Sequence, residues 1–389
     1  MEAKTKVIAV AYILFVVACS SFIIYHETGD EDSSRDVVAA IARVNTDGSG
    51  IYLKSVYDPE DFYTYEDGEY TFNADMWGGR VFGTPGVPTI QHVQLQQIAD
   101  SMGLKFEGLS ASTVKRTDTL YYVSTVTNAT AATETSSEIL DGGILWEPQY
   151  SMIISNPMYQ GMLLTNDMFP GHTCCVIAGS TEFMKNNPDA TVAFLAAYVK
   201  AVDYVNAAKA DRGSDEYGEL VRICEKYTGL KESVIEDALF NVEFKFSDDN
   251  RSGSLDNLVG DIASLESDLE AAGNISVSMS SLGFDDSTEF AELLVQDSYL
   301  TNAVSGDVAK PSGKRSVTVA AINGDIHQIA IRVAQELGYF SEYNLDVTVG
   351  ALGNGGAVAL DILGGYSDFA FLGAPPLTIN VVNGGYLSA

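Results

Sequence analysis

A glycine-rich segment, ALGNGGAVALDIL, places Gly353, Asn354, Gly355 and Gly356 between a predicted strand and a predicted helix. Backbone N–H groups at a helix start lack intrahelical acceptors, and the helix dipole adds roughly half a positive charge there. Such a loop can bind a small anion, although taken alone it is more often a tight turn. The spacing matches neither a P-loop nor G-x-G-x-x-G, so it gives little support for a nucleotide site.

A second segment, GTPGVPTIQH, has the same form. Gly83 and Gly86 expose the backbone, Thr89 is a candidate N-cap, and Gln91 and His92 follow it. Two helix starts of this kind, in separate strand-helix regions, predict the two facing sides of one cleft.

Histidines and cysteines are further candidates for chemistry. His92, His172 and His327 each lie at a predicted loop or helix start, where a buried structural role and a metal or metal-complex site both remain open. Cys174 and Cys175 are adjacent, and they fit either a strained vicinal disulfide or two small buried residues. Because no ligand pair has the spacing of a preformed site, we expect no metal and no cofactor.

The segment ILWEP reads as a buried strand that runs into Trp146 and Glu147. Trp146 either packs in a core or, with Glu147, supplies a ring and a carboxylate to a cleft. No G-x-S-x-G, H-E-x-x-H or evident nucleophile-base pair occurs, so we predict a protein that is not an enzyme and has no catalytic residues.

Composition excludes one class of partner. The 389 residues include 22 Lys and Arg against 53 Asp and Glu, which gives a formal net charge of −31. Because a surface this acidic repels phosphate backbones, we expect no nucleic acid partner. Hydrophobic residues make up 46% of the chain, which fits a globular protein.

Residues 1–26 carry a membrane signal. Val7–Tyr25 is uncharged and about long enough to cross a ~30 Å hydrocarbon layer as a helix. Lys4 and Lys6 precede it and the acidic stalk 27–36 follows, which predicts a cytoplasmic N-terminus and an extracytoplasmic bulk anchored at the cell membrane. Cleavage or lipidation near Cys19 remains an alternative.

The rest of the chain alternates strands and helices, the pattern of an α/β fold with parallel-rich sheets flanked by helices. The clearest stretch is SVTVAA, QIAIRVAQELGYF, LDVTV, GAVALDIL and DFAFL, which reads β-α-β-α-β. We expect two lobes with a ligand cleft between them. The predicted divisions are part of lobe one with a crossover (37–75), lobe two (76–210), a helical return to lobe one (211–303), a linker (304–315) and the first half of lobe one (316–389).

Several motifs together resemble one family. Those of one lobe are Gly338-Tyr339-Phe340, Leu345-Asp346-Val347, the Gly353–Gly356 loop, Asp368-Phe369-Ala370 and Gly373-Ala374-Pro375-Pro376. Those of the other are WGGRVFGTPGVPTIQHVQLQQIADSMGL, ILDGGILWEP and STEFMKNNPDATVAFLAAYVKAV. They resemble ABC-importer solute-binding proteins of the nitrate/taurine/alkanesulfonate class, which includes binders of thiamine-pyrimidine precursors. Each motif is moderately specific, and their joint occurrence is the stronger signal.

The order of the motifs departs from this family. The GYF…LDV…DFAFLG segment opens the family's chain, whereas here it comes last and its usual continuation stands at 37–50. The sequence therefore resembles a circular permutant. A truncated tandem array of two domains and a subunit-swapped pair are the alternatives.

The resemblance implies a type II periplasmic-binding-protein-like fold that captures a small, anionic or sulfonate-like solute for ABC permease subunits. A membrane-tethered solute sensor and a thiamine-precursor-related enzyme are the alternatives. The implied ligand-binding residues are Asn45, Ser49, Thr89, Gln91, His92, Trp146, Glu147, His172, Asn323, His327, Gly353, Asn354, Gly355, Gly356, Ala374 and Pro375.

Overall fold

The computed structural model describes residues 36–136, 139–306 and 308–389. The predicted membrane anchor, residues 1–26, and the stalk up to residue 35 lie outside them. No helix of the described part is both long and apolar enough to cross a membrane.

The strands of the described part alternate with helices over most of its length. In chain order the strands are β1 (Val38–Asp47), β2 (Ser49–Lys54), β3 (Tyr63–Glu66), β4 (Glu69–Phe72), β5 (Val81–Gly83), β6 (Lys105–Gly108), β7 (Thr119–Val123), β8 (Gly142–Trp146), β9 (Tyr159–Leu164), β10 (Thr173–Ser180), β11 (Val242–Phe244), β12 (Arg315–Ile322), β13 (Leu345–Leu352) and β14 (Phe369–Gly373).

The helices cover the faces of the sheets, and short 3-10 turns occur at Pro59–Asp61, Met279–Leu282 and Ile326–Gln328. In chain order the α-helices are α1 (Ala74–Trp77), α2 (Ile90–Ser101), α3 (Ala129–Ser136), α4 (Gln149–Ile154), α5 (Thr165–Met168), α6 (Thr181–Asn186), α7 (Pro188–Ala210), α8 (Asp215–Thr228), α9 (Glu232–Asn241), α10 (Asp256–Ala271), α11 (Ser287–Leu294), α12 (Ser298–Val304), α13 (Ile329–Glu336), α14 (Tyr339–Glu342), α15 (Gly355–Leu363) and α16 (Ala374–Gly384).

Two six-stranded sheets define two lobes. The sheet of lobe one has the order β11-β1-β10-β14-β12-β13, and that of lobe two has the order β6-β7-β5-β8-β2-β9. The predicted two-lobed α/β architecture is therefore confirmed. Both sheets combine parallel and antiparallel pairs. Three of the five strand pairings in lobe two and two of the five in lobe one are parallel, whereas β1 and β2 pair antiparallel with their neighbours.

The lobe boundaries differ from those predicted. Strands β2 and β5–β9 form the lobe-two sheet, β3 and β4 form a separate two-stranded sheet, and β10 pairs with β1 and β14 in lobe one. Helix α7 also packs in the lobe-one core. The predicted boundary at 210 is therefore too late, since the sequence pattern does not reveal which sheet the apolar segment TCCVIAGS joins.

Aromatic stacking connects distant parts of the chain in lobe one. The ring of Phe194 on α7 stacks on Phe369 of β14 at 4.2 Å and on Phe340 of α14 at 5.4 Å, between ring centroids. In lobe two, Trp77 stacks on Phe82 at 4.7 Å. Stacked rings thus join α7 to β14 and α14 in lobe one, and α1 to β5 in lobe two.

The segment 316–389 completes the sheet that begins with β1. Strands β12, β13 and β14 share that sheet with β1, and β10 lies between β14 and β1. The carbonyl of Tyr386 accepts a hydrogen bond from the Val37 amide at 3.4 Å. The start of β1 and the last residues of the chain are thus neighbours.

Candidate ligand-binding cleft

A cavity of about 460 Å³ lies between the lobes and is lined by both. Lobe one contributes residues that follow β12, β13 and β14, and lobe two contributes residues that follow β5, β7 and β8. In each lobe these strands include the parallel part of the sheet. Ligands of open α/β sheets bind outside the carboxyl ends of such strands, so this cavity is the candidate site.

The start of α15 provides free amides to the cleft. Asn354 is the N-cap, and its Oδ1 accepts from the Ala357 amide at 2.9 Å. The amides of Gly355 and Gly356 are left without a protein acceptor, as is usual in a first helical turn. A Cβ on Gly355 would lie 2.8 Å from Cγ of Pro376, so a side chain there would push α15 and α16 apart.

The start of α2 faces the cleft from lobe two. Thr89 is the N-cap, where its hydroxyl accepts from the His92 amide at 3.4 Å and donates to the Gly86 carbonyl at 2.7 Å. The single hydroxyl proton is therefore already used within the protein. The donors left for an anion are the amides of Ile90 and Gln91.

The start of α16 differs from these two. Pro375 and Pro376 occupy its first turn, and proline has no amide proton. Both rings line the cleft, whereas Ala374 lines a neighbouring cavity. This helix start therefore contributes an apolar wall and few donors.

His327 carries a positive charge in the cleft wall. Its Nδ1 lies 2.9 Å from Oδ1 of Asp325 and its Nε2 lies 2.9 Å from the Gly48 carbonyl oxygen. Both partners are acceptors, so both ring nitrogens donate and the ring is an imidazolium. Burial opposes this charge, but the charges of Asp325, Cys174 and Glu147 raise the pKa of His327 to about 9.

Cys174 and Cys175 line the same cleft as free thiols. Their sulfurs are 3.7 Å apart, compared with about 2.05 Å in a disulfide. A hydrogen bond between the two sulfurs lowers the pKa of Cys174 against the effect of burial, and the charges of His327 and His172 act in the same direction as the hydrogen bond. Because both nitrogens of His327 are donors, His327 has no lone pair with which to accept the Cys174 proton.

The structure brings together most of the sequence-predicted helix-start residues. Those that line the cleft are Thr89, Gln91, Trp146, Asn323, His327, Gly353, Asn354, Gly355, Gly356 and Pro375. Six predicted residues do not line it, namely Asn45, Ser49, His92, Glu147, His172 and Ala374.

Three of these six residues make hydrogen bonds within the protein. Ser49 Oγ accepts from Gln91 Nε2 at 2.8 Å. Glu147 accepts from the amide and hydroxyl of Ser151 and from Asn241 Nδ2 of lobe one at 2.6 Å, so it ties the two lobes together. Asn45 donates to the Asp47 carbonyl at 3.2 Å.

The other two polar residues of the six are histidines enclosed by protein. His92 Nδ1 lies 3.1 Å from Thr84 Oγ1, and burial lowers the pKa of His92 to about 4. His172 lines a separate cavity of about 170 Å³. Its Nδ1 donates to the Phe169 carbonyl at 2.8 Å, and although burial opposes its charge, Asp47 raises the pKa of His172.

Sequence reasoning missed part of the lobe-two wall. Thr127, Asn128 and Gln149 line the cleft. Asn128 Oδ1 accepts from the Ala131 amide at 2.8 Å at the start of α3, and Gln149 Oε1 accepts from the Ala129 amide at 3.0 Å. The signal that could have revealed them is the Asn cap that follows the strand TLYYV. Within the described ranges, no group of three or more His, Cys, Asp or Glu side chains could hold a metal ion.

No protein-family model matches this sequence, and the search of curated proteins found no match. Two solved structures are similar to the chain. One is the ligand-binding component of an ABC-type import system from Staphylococcus aureus with zinc bound, with a TM-score of 0.47, 14% identity, 70% of this chain and 76% of that chain covered. The other is the periplasmic nitrate-binding protein NrtA from Synechocystis PCC 6803, with a TM-score of 0.42, 12% identity, and 79% and 77% coverage respectively. At these values the likeness does not extend to a ligand or a partner.

Proposed function

We propose that the protein is an extracytoplasmic solute-binding protein that captures a small anion between its lobes. The observation that carries this proposal is the convergence of helix starts on one cleft. The amides of Gly355 and Gly356 come from lobe one, and those of Ile90 and Gln91 come from lobe two. His327 lines the same wall as an imidazolium, where its charge is paired with the carboxylate of Asp325.

The acidity of the whole chain does not prevent this. Surface charges are screened over about 8 Å at physiological salt, whereas the amides of the helix starts are in direct reach of a bound ligand. The ring of Trp146 and the two prolines give the cavity an apolar side. A sulfonate or a similar anion that carries a small organic group fits this combination best.

The tether and the partner are part of the same proposal. Val7–Tyr25 would anchor the protein outside the cytoplasmic face, and lobe closure on the solute would present it to ABC permease subunits. The sheet order supports a circularly permuted arrangement, since β12–β14 and β1 complete one sheet within a single chain. The truncated array and the subunit swap remain the competing explanations for the motif order.

The direct test is isothermal titration calorimetry of the purified full chain with methanesulfonate, taurine, nitrate and sulfate, and with neutral glycerol as the control. We expect one saturable site for at least one anion and none for glycerol. The same anion should raise the melting temperature, since binding at about 100 times Kd stabilises by roughly 2.7 kcal/mol. Absence of binding for all four anions contradicts the anion proposal.

A further inference from the structure

The thiols of Cys174 and Cys175 form a part of the cleft that anion binding does not use. Adjacent side chains of a strand normally point to opposite faces, yet these two sulfurs lie 3.7 Å apart. The pairing of β1 with β10 is irregular on both sides of Asn45, which is the partner of Cys175. Such irregularities re-aim side chains, which explains how two neighbouring thiols share one side of the strand.

The separation suits one bridging atom. An atom bonded to both sulfurs at roughly 2.3 Å, the length of a zinc–thiolate bond, would subtend an angle of about 107° across the 3.7 Å gap. That angle is close to tetrahedral. No third His, Cys, Asp or Glu completes a metal cluster in the part of the chain described. The geometry therefore favours a ligand with one thiophilic atom. That atom would bond to both protein sulfurs and would already carry its third substituent when it enters the cleft.

The surroundings of Cys174 and Cys175 favour the thiolate form of Cys174 and leave both sulfurs accessible from the cleft. Thiolate is the reactive form of cysteine, and the hydrogen bond between the two sulfurs and the charge of the His327 imidazolium both favour the thiolate of Cys174. The cavity of about 460 Å³ gives access to the sulfurs, which are otherwise enclosed, with Cys174 5% and Cys175 4% exposed. Cys224 is buried on α8 and lines neither this cleft nor the neighbouring cavity.

We propose that Cys174 and Cys175 form a dithiol site that captures a monosubstituted trivalent arsenical entering the cleft. Two As–S bonds form while the As=O bond of the arsenoxide and two S–H bonds break. The oxygen leaves with both thiol protons as one water molecule, and arsenic remains trivalent. The organic substituent stays on arsenic and occupies the cavity. This site does not depend on the identity of the anion proposed above.

The test uses the reduced full chain and phenylarsine oxide. We expect one arsenical per chain by intact mass, with the loss of two titratable thiols, and release by a dithiol but not by excess monothiol. The double variant Cys19→Ser/Cys224→Ser retains the pair and should behave like the parent. Cys174→Ser and Cys175→Ser should each lose the monothiol-resistant adduct.

Folding and anion binding are measured on the same samples. Circular dichroism and the melting temperature show whether each Ser variant folds, and a thermal shift of the parent by phenylarsine oxide gives a second reading of the site. A monothiol-resistant adduct that persists in a folded Cys174→Ser or Cys175→Ser variant overturns the proposal. So does a parent chain whose two thiols titrate freely without forming the adduct. If the adduct forms but no anion binds, the anion proposal fails and the dithiol site stands.

Discussion

At the residue scale, one carbonyl oxygen connects the cleft to the point where the chain passes between the lobes. The Gly48 carbonyl accepts from Nε2 of His327 and from the Glu147 amide, each at 2.9 Å. His327 belongs to lobe one, and Glu147 directly follows β8 of lobe two. A change in the charge of His327 would therefore affect both the cleft wall and the hydrogen bonds that connect the two lobes.

This arrangement predicts a pH dependence of stability. The pKa of His327 is raised to about 9 in the folded protein, above the unfolded value of 6.5, so its contribution is complete below about pH 6.5 and is lost as the pH rises through 9. The shift corresponds to at most about 3 kcal/mol. The free energy of unfolding, measured in urea at several pH values between 6 and 10, should exceed that of His327→Gln at pH 6. This difference between the two proteins should shrink as the pH rises towards 10. Parallel pH profiles of the two proteins contradict the assignment of a charged His327.

A second residue-scale prediction isolates one backbone donor. Gly356→Pro removes the amide at the second position of α15, whereas Gly356→Ala keeps it and adds a Cβ whose nearest neighbour is Asn354 Oδ1 at 3.4 Å. Calorimetry with the bound anion should show about tenfold weaker binding for the Pro variant, or roughly 1.4 kcal/mol. The Ala variant should bind nearly as tightly as wild type. Equal affinity of both variants would place the anion away from α15.

Residue types and their place after a strand predict that Gly355, Gly356 and Gln91 line the cleft, and the structure places them there. The side-chain roles could not be predicted in the same way. Thr89 was expected to bind ligand, but its hydroxyl is engaged by Gly86 and His92. Glu147 was expected in the cleft, but it is buried in bonds to Ser151 and Asn241. Such partners are distant in sequence or depend on cap geometry, which a pattern of residue types does not contain.

At the element scale, the connection between β1 and β2 carries the chain from one sheet to the other through a single residue. Gly48 has φ of +87°, and a Cβ there would lie 2.4 Å from Nε2 of His327. Gly68, at the tip of the β3–β4 hairpin, has φ of +90° and no atom within 4 Å of its ideal Cβ. The two glycines therefore share the backbone strain and differ in their surroundings.

This pair predicts two different stability losses. Gly68→Ala should cost about 1 kcal/mol, the usual penalty of a left-handed conformation. Gly48→Ala should cost more, roughly 3 kcal/mol, since it also displaces His327. Chemical denaturation of both variants measures the difference. Equal losses would show that His327 moves aside without cost.

The strands and helices of residues 316–389 are predicted from sequence, because SVTVAA, LDVTV and DFAFL alternate with well-spaced helical segments. The segment TCCVIAGS was also readable as a strand, but not its sheet. Its position between β1 and β14 is set by packing of α7 against Phe369 and by long-range pairing. Local patterns thus identify elements, while the lobe each joins is a property of contacts far apart in sequence.

At the scale of the whole molecule, strands that are far apart in sequence are neighbours in the sheet of lobe one, where β10 lies between β1 and β14. Phe369 and Phe371 of β14 pack against Phe194 and Tyr198 of α7, with centroids at 4.2 Å for Phe194–Phe369 and 5.3 Å for Tyr198–Phe371. Loss of one such buried ring typically costs about 3–5 kcal/mol, a large fraction of the roughly 5–15 kcal/mol that stabilises a whole domain. The core of lobe one therefore depends on 316–389 although that segment is last in sequence.

A rearranged chain tests whether this dependence reflects circular permutation. Placing 316–389 before Val37 needs only a short joint, since Tyr386 and Val37 are already hydrogen bonded. We expect this protein to be monomeric by light scattering and to bind anion with wild-type affinity.

Deletion of 316–389 should leave β10 as an exposed edge and give an aggregating or unfolded product, because the sheet loses β14. A wild-type dimer that dissociates only on unfolding would favour the subunit swap. A stable, anion-binding fragment 27–303 would contradict the permutation and identify 316–389 as part of a second copy.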